Sequence, residues 1–215
     1  PNTTVRIPPG TYAGNVTIDE PLTLRGAGNA THLRGDGRGS VVRVRAPRTA
    51  VADLRITGVG NTTSVERLPG NRSEGEWDYR VKMGYAYGDA GVVLDRANGS
   101  LVSGVAIETP ANGVLARSSH GSVVDGVTVD GAEDWVDGFM GVMVMESRLV
   151  VQDSTFRGGR DGVYTHRAHG IVVRENEMTS MRFGVHEMYT SRALVANNAV
   201  RDTLVGLIVM TRPTG

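Results

Sequence analysis

The stretch that decides the fold is residues 162–205, two consecutive units that read GVYTHRAHGIVVRENEMTSMRF and GVHEMYTSRALVANNAVRDTLV. Each unit has a Gly, a short β-branched segment, a polar turn, a second short segment and another polar turn, which is typical of strands and not of helices. Units of this design begin at six glycines with spacings of 22, 28, 21, 22 and 22 residues: Gly91, Gly113, Gly141, Gly162, Gly184 and Gly206. A period of about 22 residues predicts an all-β solenoid, a right-handed parallel β-helix in which each unit is one coil.

Stacked coils bring equivalent positions of the sequence into columns, with neighbouring side chains about 4.8 Å apart. Three apolar columns are predicted to face the inside of the coil. They are Val92, Val114, Val142, Val163, Val185 and Leu207; Val102, Val124, Val151, Val173 and Val195; and Ile107, Val129, Phe156, Met178 and Val200. Asn176 and Asn198 share a column at a turn, where amide side chains can hydrogen-bond along the axis of the stack.

The period is interrupted twice, so the chain has regular and irregular parts. We expect a single β-helix domain over residues 1–215, truncated at both ends, with opening coils at 1–57, an inserted loop at 58–90 and regular coils at 91–215. A shorter insertion, near 132–137, lengthens the coil that begins at Gly113. Insertions in solenoids gather on one face, which is often the binding face.

Composition narrows the function and the location. The formal net charge is zero, so the chain lacks the basic surplus of a nucleic-acid-binding protein, and no apolar run is long enough to span a membrane. With no Cys, its stability does not depend on disulfides. Six Asn-x-Ser/Thr triplets favour a glycosylated, extracytoplasmic protein; they begin at Asn2, Asn15, Asn29, Asn61, Asn71 and Asn98.

The outward columns carry the most informative chemistry. Alternate residues of a strand face opposite sides, so the positions two and four residues after each Gly are predicted to face outward. In the last four coils these exposed positions are rich in Met and His, beside Tyr164: Met143, Met145, His166, His186, Met188 and Met210. Thioether and imidazole donors without a carboxylate cluster suit copper, Cu(I) above all, and do not suit Ca²⁺ or Mg²⁺. The alternative is that the Met residues pack beneath a loop or a partner.

Other Met and His residues have simpler interpretations. Met83, Met140 and Met181 are expected to be packing residues. His120 and His169 are expected to be surface turn residues two coils apart, and His32 a lone loop residue. Glu187 conflicts with the alternation, because it is predicted to face inward; either the strand has already turned there or the carboxylate is paired below the surface.

Several segments resemble the NosD family of β-helix proteins. These segments are Ile7–Tyr12, an opening motif shared with many pectin-lyase-like β-helices, Leu24–Gly28, Met83–Val92, and the more specific Phe183–Thr190 followed by Gly206–Met210. The resemblance implies a non-enzymatic, extracytoplasmic, periplasmic or cell-surface protein that handles copper for nitrous-oxide reductase maturation. It implies as partners an ABC transporter and a copper-accepting reductase or copper chaperone. The residues carried over from the family motif are His186, Met188, Tyr189 and Met210.

Two other functions fit the same fold. A polysaccharide lyase, hydrolase or epimerase would need paired carboxylates and a basic residue on one face, for which the candidates are Asp134, Asp137, Asp153, Arg157, Arg160 and Asp161. Asp153, Arg157 and Asp161 are expected at turns, and no outward column stacks acids on consecutive coils. A non-catalytic carbohydrate-binding scaffold would use Trp77, Trp135 and Tyr85 as stacking platforms. The fold alone does not separate these functions.

Overall fold

The computed structural model describes residues 3–60, 84 and 86–210, and this part of the chain forms a parallel β-helix. Its twenty strands pair in parallel, each with a strand of the neighbouring coil. The pairings form three stacks, which we call the first, second and third faces. The predicted fold class is confirmed, and Trp77, Tyr85, Met83 and the triplets at Asn2, Asn61 and Asn71 lie outside the described residues.

Sixteen strands each belong to one face. The first face contains β3 (Val16–Ile18), β6 (Val42–Val44), β8 (Ala90–Asp95), β10 (Asn112–Arg117), β13 (Met140–Met145) and β16 (Asp161–His166). The second face contains β1 (Thr4–Arg6), β4 (Thr23–Arg25), β11 (His120–Asp125), β14 (Arg148–Gln152), β17 (Val172–Arg174) and β19 (Leu194–Ala196). The third face contains β2 (Gly10–Ala13), β5 (Thr31–Arg34), β12 (Thr128–Asp130) and β15 (Thr155–Arg157).

Four longer strands bend from one face to the next. Strands β7 (Ala50–Thr57) and β9 (Leu101–Glu108) run from the second face to the third. Strands β18 (Glu177–Met188) and β20 (Ala199–Met210) run from the third face to the first. The coil containing β6 and β7 pairs directly with the coil containing β8 and β9. The chain between Thr57 and Ala90 therefore separates two coils in sequence but not in the stack.

The inside of the coils is a continuous apolar core. The three predicted columns are in register from coil to coil, as in Val92↔Val114↔Val142 and Val163↔Val185. Their members are buried from Val92 to Val185, whereas Leu207 in the last described coil is 48% exposed. The predicted inward columns are therefore confirmed, and they supply the apolar burial that stabilises a solenoid.

The recurring Gly has a packing cause. A methyl group at Gly141 would lie 2.6 Å from Cδ1 of Phe156, and one at Gly113 would lie 2.5 Å from Cγ2 of Val129. The column of third-face residues thus occupies the space that a side chain at the glycine column would need. Because the third face of each coil packs against the start of that coil's own first-face strand, the requirement repeats with the coil.

The turns are held by left-handed backbone and by side chains stacked along the axis. One residue after each first-face strand has positive φ in five consecutive coils: Arg96, Ser118, Glu146, Arg167 and Tyr189. At the next turn, Oδ1 of Asn176 accepts a hydrogen bond from Ser154 N at 3.1 Å, and its Nδ2 donates to Oδ1 of Asn198 at 2.9 Å. The predicted Asn ladder is confirmed.

Candidate metal site

The six predicted Met and His ligands lie together on the first face. Met145, His166, Met188 and Met210 occupy one column on four consecutive coils. Met143 and His186 lie in the parallel column, on either side of Tyr164. The register therefore places sulfur and imidazole donors one above another, as the period predicts.

The prediction that this face is exposed is wrong for five of the six residues. Met143 and His166 are fully buried, and Met145, His186 and Met188 are 2–3% exposed; only Met210 is accessible, at 36%. Met143, Met145 and Met188 belong to an outer apolar cluster with Ala86 and Phe139, separate from the core inside the coils. Residues outside the strands, Ala86 and Phe139, thus pack with these methionines, as the packing alternative describes.

Met140 belongs to the same cluster and Met181 to the inner core, so their interpretation as packing residues is confirmed.

His186 is held between two coils by a buried carboxylate. Its Nδ1 lies 2.9 Å from Oδ2 of Asp161, which is completely buried at the start of β16. The guanidinium of Arg182 donates to both oxygens of Asp161, at 2.9 and 2.7 Å. A bidentate pair of this kind fixes the orientation of the carboxylate, and the carboxylate in turn fixes the imidazole ring.

The other nitrogen of His186 faces a thioether. Nε2 of His186 lies 3.2 Å from Sδ of Met210, and the hydroxyl of Tyr164 donates to Sδ of Met188 at 3.2 Å. The Tyr164 ring contacts His186 edge-on, with 4.5 Å between ring centroids. His166 lies one coil below Met188, and its ring meets the Tyr189 ring edge-on at 5.5 Å. A nitrogen and a sulfur donor are therefore in contact across the last two described coils.

This arrangement fits a soft metal. A metal-ligating His usually donates its second ring N–H to a carboxylate, which fixes the tautomer and makes the ligating nitrogen more basic. Asp161 supplies that carboxylate, and Met210 supplies a thioether of the class that selects Cu(I). Among residues 3–60, 84 and 86–210 no group of three or more His, Cys, Asp or Glu side chains is placed to hold a metal. The donors on this face are thus mainly thioethers and imidazoles.

Sequence reasoning missed the part played by Asp161 and Arg182. Asp161 was expected at a turn among candidate catalytic acids, but it is the first, buried residue of β16 and pairs with Phe183 on the next coil. The sequence shows only their spacing: Asp161 lies one residue before a column glycine, and Arg182 lies four residues before His186. Arg182 lies on the same strand as His186, but Asp161 meets His186 only because adjacent coils stack, and the residue types alone do not indicate that contact.

Glu187 faces inward, as the alternation predicts. It lies in register between Thr165 and Val209, is 6% exposed, and its Oε1 accepts no hydrogen bond within the described residues. Burial raises the pKa of the Glu187 carboxyl. Neither of the two explanations considered for Glu187 holds for this oxygen. Strand β18 continues through residue 187, and Oε1 has no hydrogen-bond partner in the described part of the chain.

The acids considered for catalysis lie in different parts of the coils. Asp153 is exposed at a turn with a φ of 51°, and Arg157 lies 3.5 Å from Asp130 on the exposed third face. In the insertion, Oδ1 of Asp134 accepts a hydrogen bond from Val136 N. Trp135 is 36% exposed, with the Arg160 guanidinium 5.7 Å from the centre of its ring.

The model of a right-handed β-helix region matches residues 86–212, which is more than half of the chain. The chain belongs to the right-handed β-helix family. The handedness predicted from the period agrees with this match, and the matched range contains every residue of the candidate metal site.

One curated relative is similar in sequence over most of the chain. The chain is 28% identical over 176 residues to a probable ABC transporter binding protein NosD from Pseudomonas aeruginosa. The alignment covers 81% of this β-helix chain and 31% of the relative, so the chain spans about a third of that protein's length. The resemblance to NosD is thus supported over most of this sequence.

Solved structures show the same fold with little sequence identity. The catalytic domain of a GH87 α-1,3-glucanase in complex with nigerose matches with a TM-score of 0.52 and 12% identity. The match covers 92% of this chain and 41% of the glucanase chain. An alginate lyase from Paenibacillus sp. str. FPU-7 matches with a TM-score of 0.50 and 14% identity. The match covers 96% of this chain and 91% of the lyase chain. At these identities the likeness shows the β-helix alone. None of the described residues form a helix that is long and apolar enough to cross a membrane.

Proposed function

We propose that this chain is a copper-binding part of an extracytoplasmic protein that passes copper on during maturation of nitrous-oxide reductase. The observation that carries the proposal is the environment of the His186 ring: Asp161 at one nitrogen and the Met210 sulfur at the other. Similarity to a probable ABC transporter binding protein NosD supports the same reading. An ABC transporter and a copper-accepting reductase or copper chaperone are the proposed partners.

The proposed ligands differ in how much of each side chain is exposed to solvent. Met210 is 36% exposed, whereas His186, whose Nε2 it contacts, is 2% exposed, so copper would reach the His186 nitrogen through Met210. Met188, one coil below Met210, offers the next sulfur. The remaining buried donors on this face are His166, Met145 and Met143. We therefore propose His186 and Met210 as the first binding site and the buried residues as additional soft donors.

Location outside the cytoplasm is supported by exposed asparagines in Asn-x-Ser/Thr triplets. Of the six Asn-x-Ser/Thr triplets, those at Asn15, Asn29 and Asn98 fall on described residues, and all three side chains are exposed. Exposed acceptors of this kind are available for glycosylation in an exported protein. Mass spectrometry of the protein from its native host, before and after glycan removal, tests this part of the proposal.

The copper proposal is tested by anaerobic titration of the purified protein with Cu(I) in competition with a chelator of known affinity. Met210→Leu is expected to lower the affinity by at least about tenfold, the scale seen for lost support of a metal site. His186→Ala combined with Met188→Leu is expected to abolish competition. X-ray absorption of the copper-loaded protein should show sulfur and nitrogen ligands.

A matched control comes from the inside of the β-helix, on the strand that carries His186 and Met188. Met181 is 3% exposed and packs in the inner core, so Met181→Leu makes the same chemical change away from the proposed ligands. It should leave the Cu(I) affinity within about twofold while costing less than about 1.5 kcal/mol of stability. Unchanged affinity in the His186→Ala, Met188→Leu double variant, with a folded circular dichroism spectrum, would overturn the proposal.

The polysaccharide-active and scaffold functions rest on fold and on exposed aromatic residues. The likeness to the glucanase and the alginate lyase is one of architecture, and the buried Asp161 is already engaged by Arg182 and His186. Unsaturated uronide products released from polyuronate in the presence of Ca²⁺ would favour the lyase. Glycan binding that is lost in Trp135→Ala and indifferent to copper would favour the scaffold.

A further inference from the structure

An aliphatic stripe runs along the outside of the second face. Successive side chains of a strand face opposite sides, so the residue before each inward valine of this face points outward. In five consecutive coils that residue is a Leu or a Val: Leu101, Val123, Val150, Val172 and Leu194. In the part of the chain that the structure describes, these five belong neither to the inner core nor to the outer cluster of the first face, and Leu194 is 54% exposed. A contiguous apolar surface of this kind is typical of a protein interaction site.

A polar column lies beside the stripe, two residues further along each strand. In the same five coils it consists of Ser103, Asp125, Gln152, Arg174 and Ala196. Its side chains hydrogen-bond along the axis of the stack: Nε2 of Gln152 donates to Oδ1 of Asp125 at 3.0 Å, and the Arg174 guanidinium donates to Oε1 of Gln152 at 2.8 Å. The column therefore has an acid on one side of Gln152 and a base on the other.

The stripe has the same order from either end. It reads Leu, Val, Val, Val, Leu, with Val150 at the centre. Reversing the order of the coils therefore exchanges Leu101 with Leu194 and Val123 with Val172, and it returns Val150 to its own position. Two copies of the chain packed face to face make this exchange when a two-fold axis lies between them and runs parallel to the strands. Aliphatic side chains then meet in every coil of the stripe.

The polar column is complementary under the same reversal. Asp125 and Arg174 lie one coil to either side of Gln152, so the reversal places Asp125 of each copy opposite Arg174 of the second copy. Two pairs of opposite charges form in this way, one on each side of the axis. Opposite charges that face each other across an interface fix its register and disfavour other partners.

We propose that the second face joins two copies of this chain in a symmetric dimer, with the stripes in contact and the coils in opposite order. The self-complementary order of both columns identifies the occupant as a second copy, because an unrelated partner would not require it. Sheets packed face to face lie about 10 Å apart, a gap that Leu and Val side chains from both copies fill. The proposed copper ligands lie on the first face, so the dimer does not depend on the copper proposal.

The dimer is expected to be reversible because the contact is small. Five coils at about 4.8 Å and strands of about five residues at about 3.3 Å cover on the order of 400 Å² per copy. The total, about 800 Å², is below the size of a stable interface and typical of a transient one. The axis also returns Arg148 and Asp153, at the two rims of the central coil, to their own positions. Both are exposed, and the like charges that meet there weaken the association further.

Sedimentation velocity of the whole chain, from micromolar to millimolar concentration, measures the association. The native chain is expected to shift from one copy towards two as the concentration rises. Val150→Arg places two guanidinium groups together on the axis, so it should raise the dissociation constant at least about tenfold. Thr155→Arg is the matched control, because it adds the same group in the same coil but on the third face, where Thr155 points outward. It should associate as the native chain does, and circular dichroism should show that both variants are folded.

A charge exchange tests the register of the dimer. Asp125→Arg alone, or Arg174→Asp alone, puts like charges opposite each other and should weaken the association. The two changes combined restore opposite charges across the axis and should recover most of it.

A chain that remains a single copy at every concentration would refute the dimer and leave the stripe to a different protein partner. Association that is insensitive to Val150→Arg, or a double charge variant that associates no better than either single variant, would refute it as well. The Cu(I) affinity of Val150→Arg should equal that of the native chain, so the dimer and the copper proposal fail separately.

Discussion

Oδ2 of Asp161 and Nδ1 of His186 lie 2.9 Å apart and join two adjacent coils of the β-helix. A carboxylate only accepts hydrogen bonds, so Nδ1 carries the proton, and in the neutral ring the lone pair is on Nε2. That nitrogen faces the Met210 sulfur. The contact thereby decides which imidazole nitrogen is available to a metal, and Arg182 holds the carboxylate in place.

Asp161→Asn tests this dependence. An amide at position 161 can donate to Nδ1, which favours the tautomer with the proton on Nε2 and removes the ligating lone pair. We expect the Cu(I) affinity to fall about 10–100-fold, the range seen when a supporting partner of a metal ligand is lost. Competition titration measures the change. Asp153→Asn, an exposed acid at a left-handed turn that Asn tolerates, is the control and should bind as the native chain does.

The glycine column gives a graded prediction of stability. Gly141→Ala places a methyl group 2.6 Å from Phe156 and 2.7 Å from Gly162 O, whereas nothing lies within 4 Å of the equivalent position at Gly206. Overpacking of this kind costs about 1–3 kcal/mol. In urea unfolding, Gly141→Ala should be destabilised by that amount and Gly206→Ala should be close to neutral. Equal effects at both sites would contradict the packing explanation of the repeat.

The sequence predicts the columns because the period is fixed by backbone stacking. Once Gly91 to Gly206 define the coil, the register of Val92, Val114 and Val142 follows, and so does that of Met145, His166 and Met188. The outward alternation also places Glu187 correctly on the inside. These features depend on short-range geometry, which repeats in every coil.

The cover over the first face is not predictable in the same way. Ala86 and Phe139 belong to the same apolar cluster as Met143 and Tyr164, but both lie in segments between strands. Alternation shows which side of a strand a residue faces but not what lies over that side. The same limit explains Asp161, whose partner His186 is on another coil and whose burial depends on Arg182.

The Asn ladder should contribute measurably to stability. Asn176 is 1% exposed, accepts from Ser154 N and donates to Val151 O and to Asn198. Removing its side chain leaves the backbone groups of the adjacent coil unsatisfied, and each buried unsatisfied group costs about 1–3 kcal/mol. Chemical denaturation of Asn176→Ala should show a loss in this range. Asn29→Ala, at an exposed position, should change the free energy of unfolding by less than about 0.5 kcal/mol.

The ion pair of Asp95 and Arg117 predicts a pH dependence. Nη2 of Arg117 donates to Oδ2 of Asp95 at 2.7 Å, and this hydrogen bond lowers the pKa of the Asp95 carboxyl. A carboxyl whose pKa is lower in the folded state stabilises the fold above its unfolded pKa, about 3.9, and the stabilisation is lost as the pH falls through the folded value. Asp95→Asn should therefore cost about 1.5–3 kcal/mol at pH 7 and progressively less below pH 4.

Arg117 also donates to Ala86 O and lies 4.7 Å from the centre of the Tyr87 ring, so the pair holds the segment that covers the first face. Asp130→Asn is the matched control, because Asp130 and Arg157 are both more than half exposed and 3.5 Å apart. Such surface pairs contribute about 0–1 kcal/mol, with little dependence on pH. Urea unfolding of both variants at pH 7 and pH 3.5 measures the difference. A cost for Asp95→Asn that is the same at both pH values would show that it comes from lost packing around Arg117, because only the charged pair titrates.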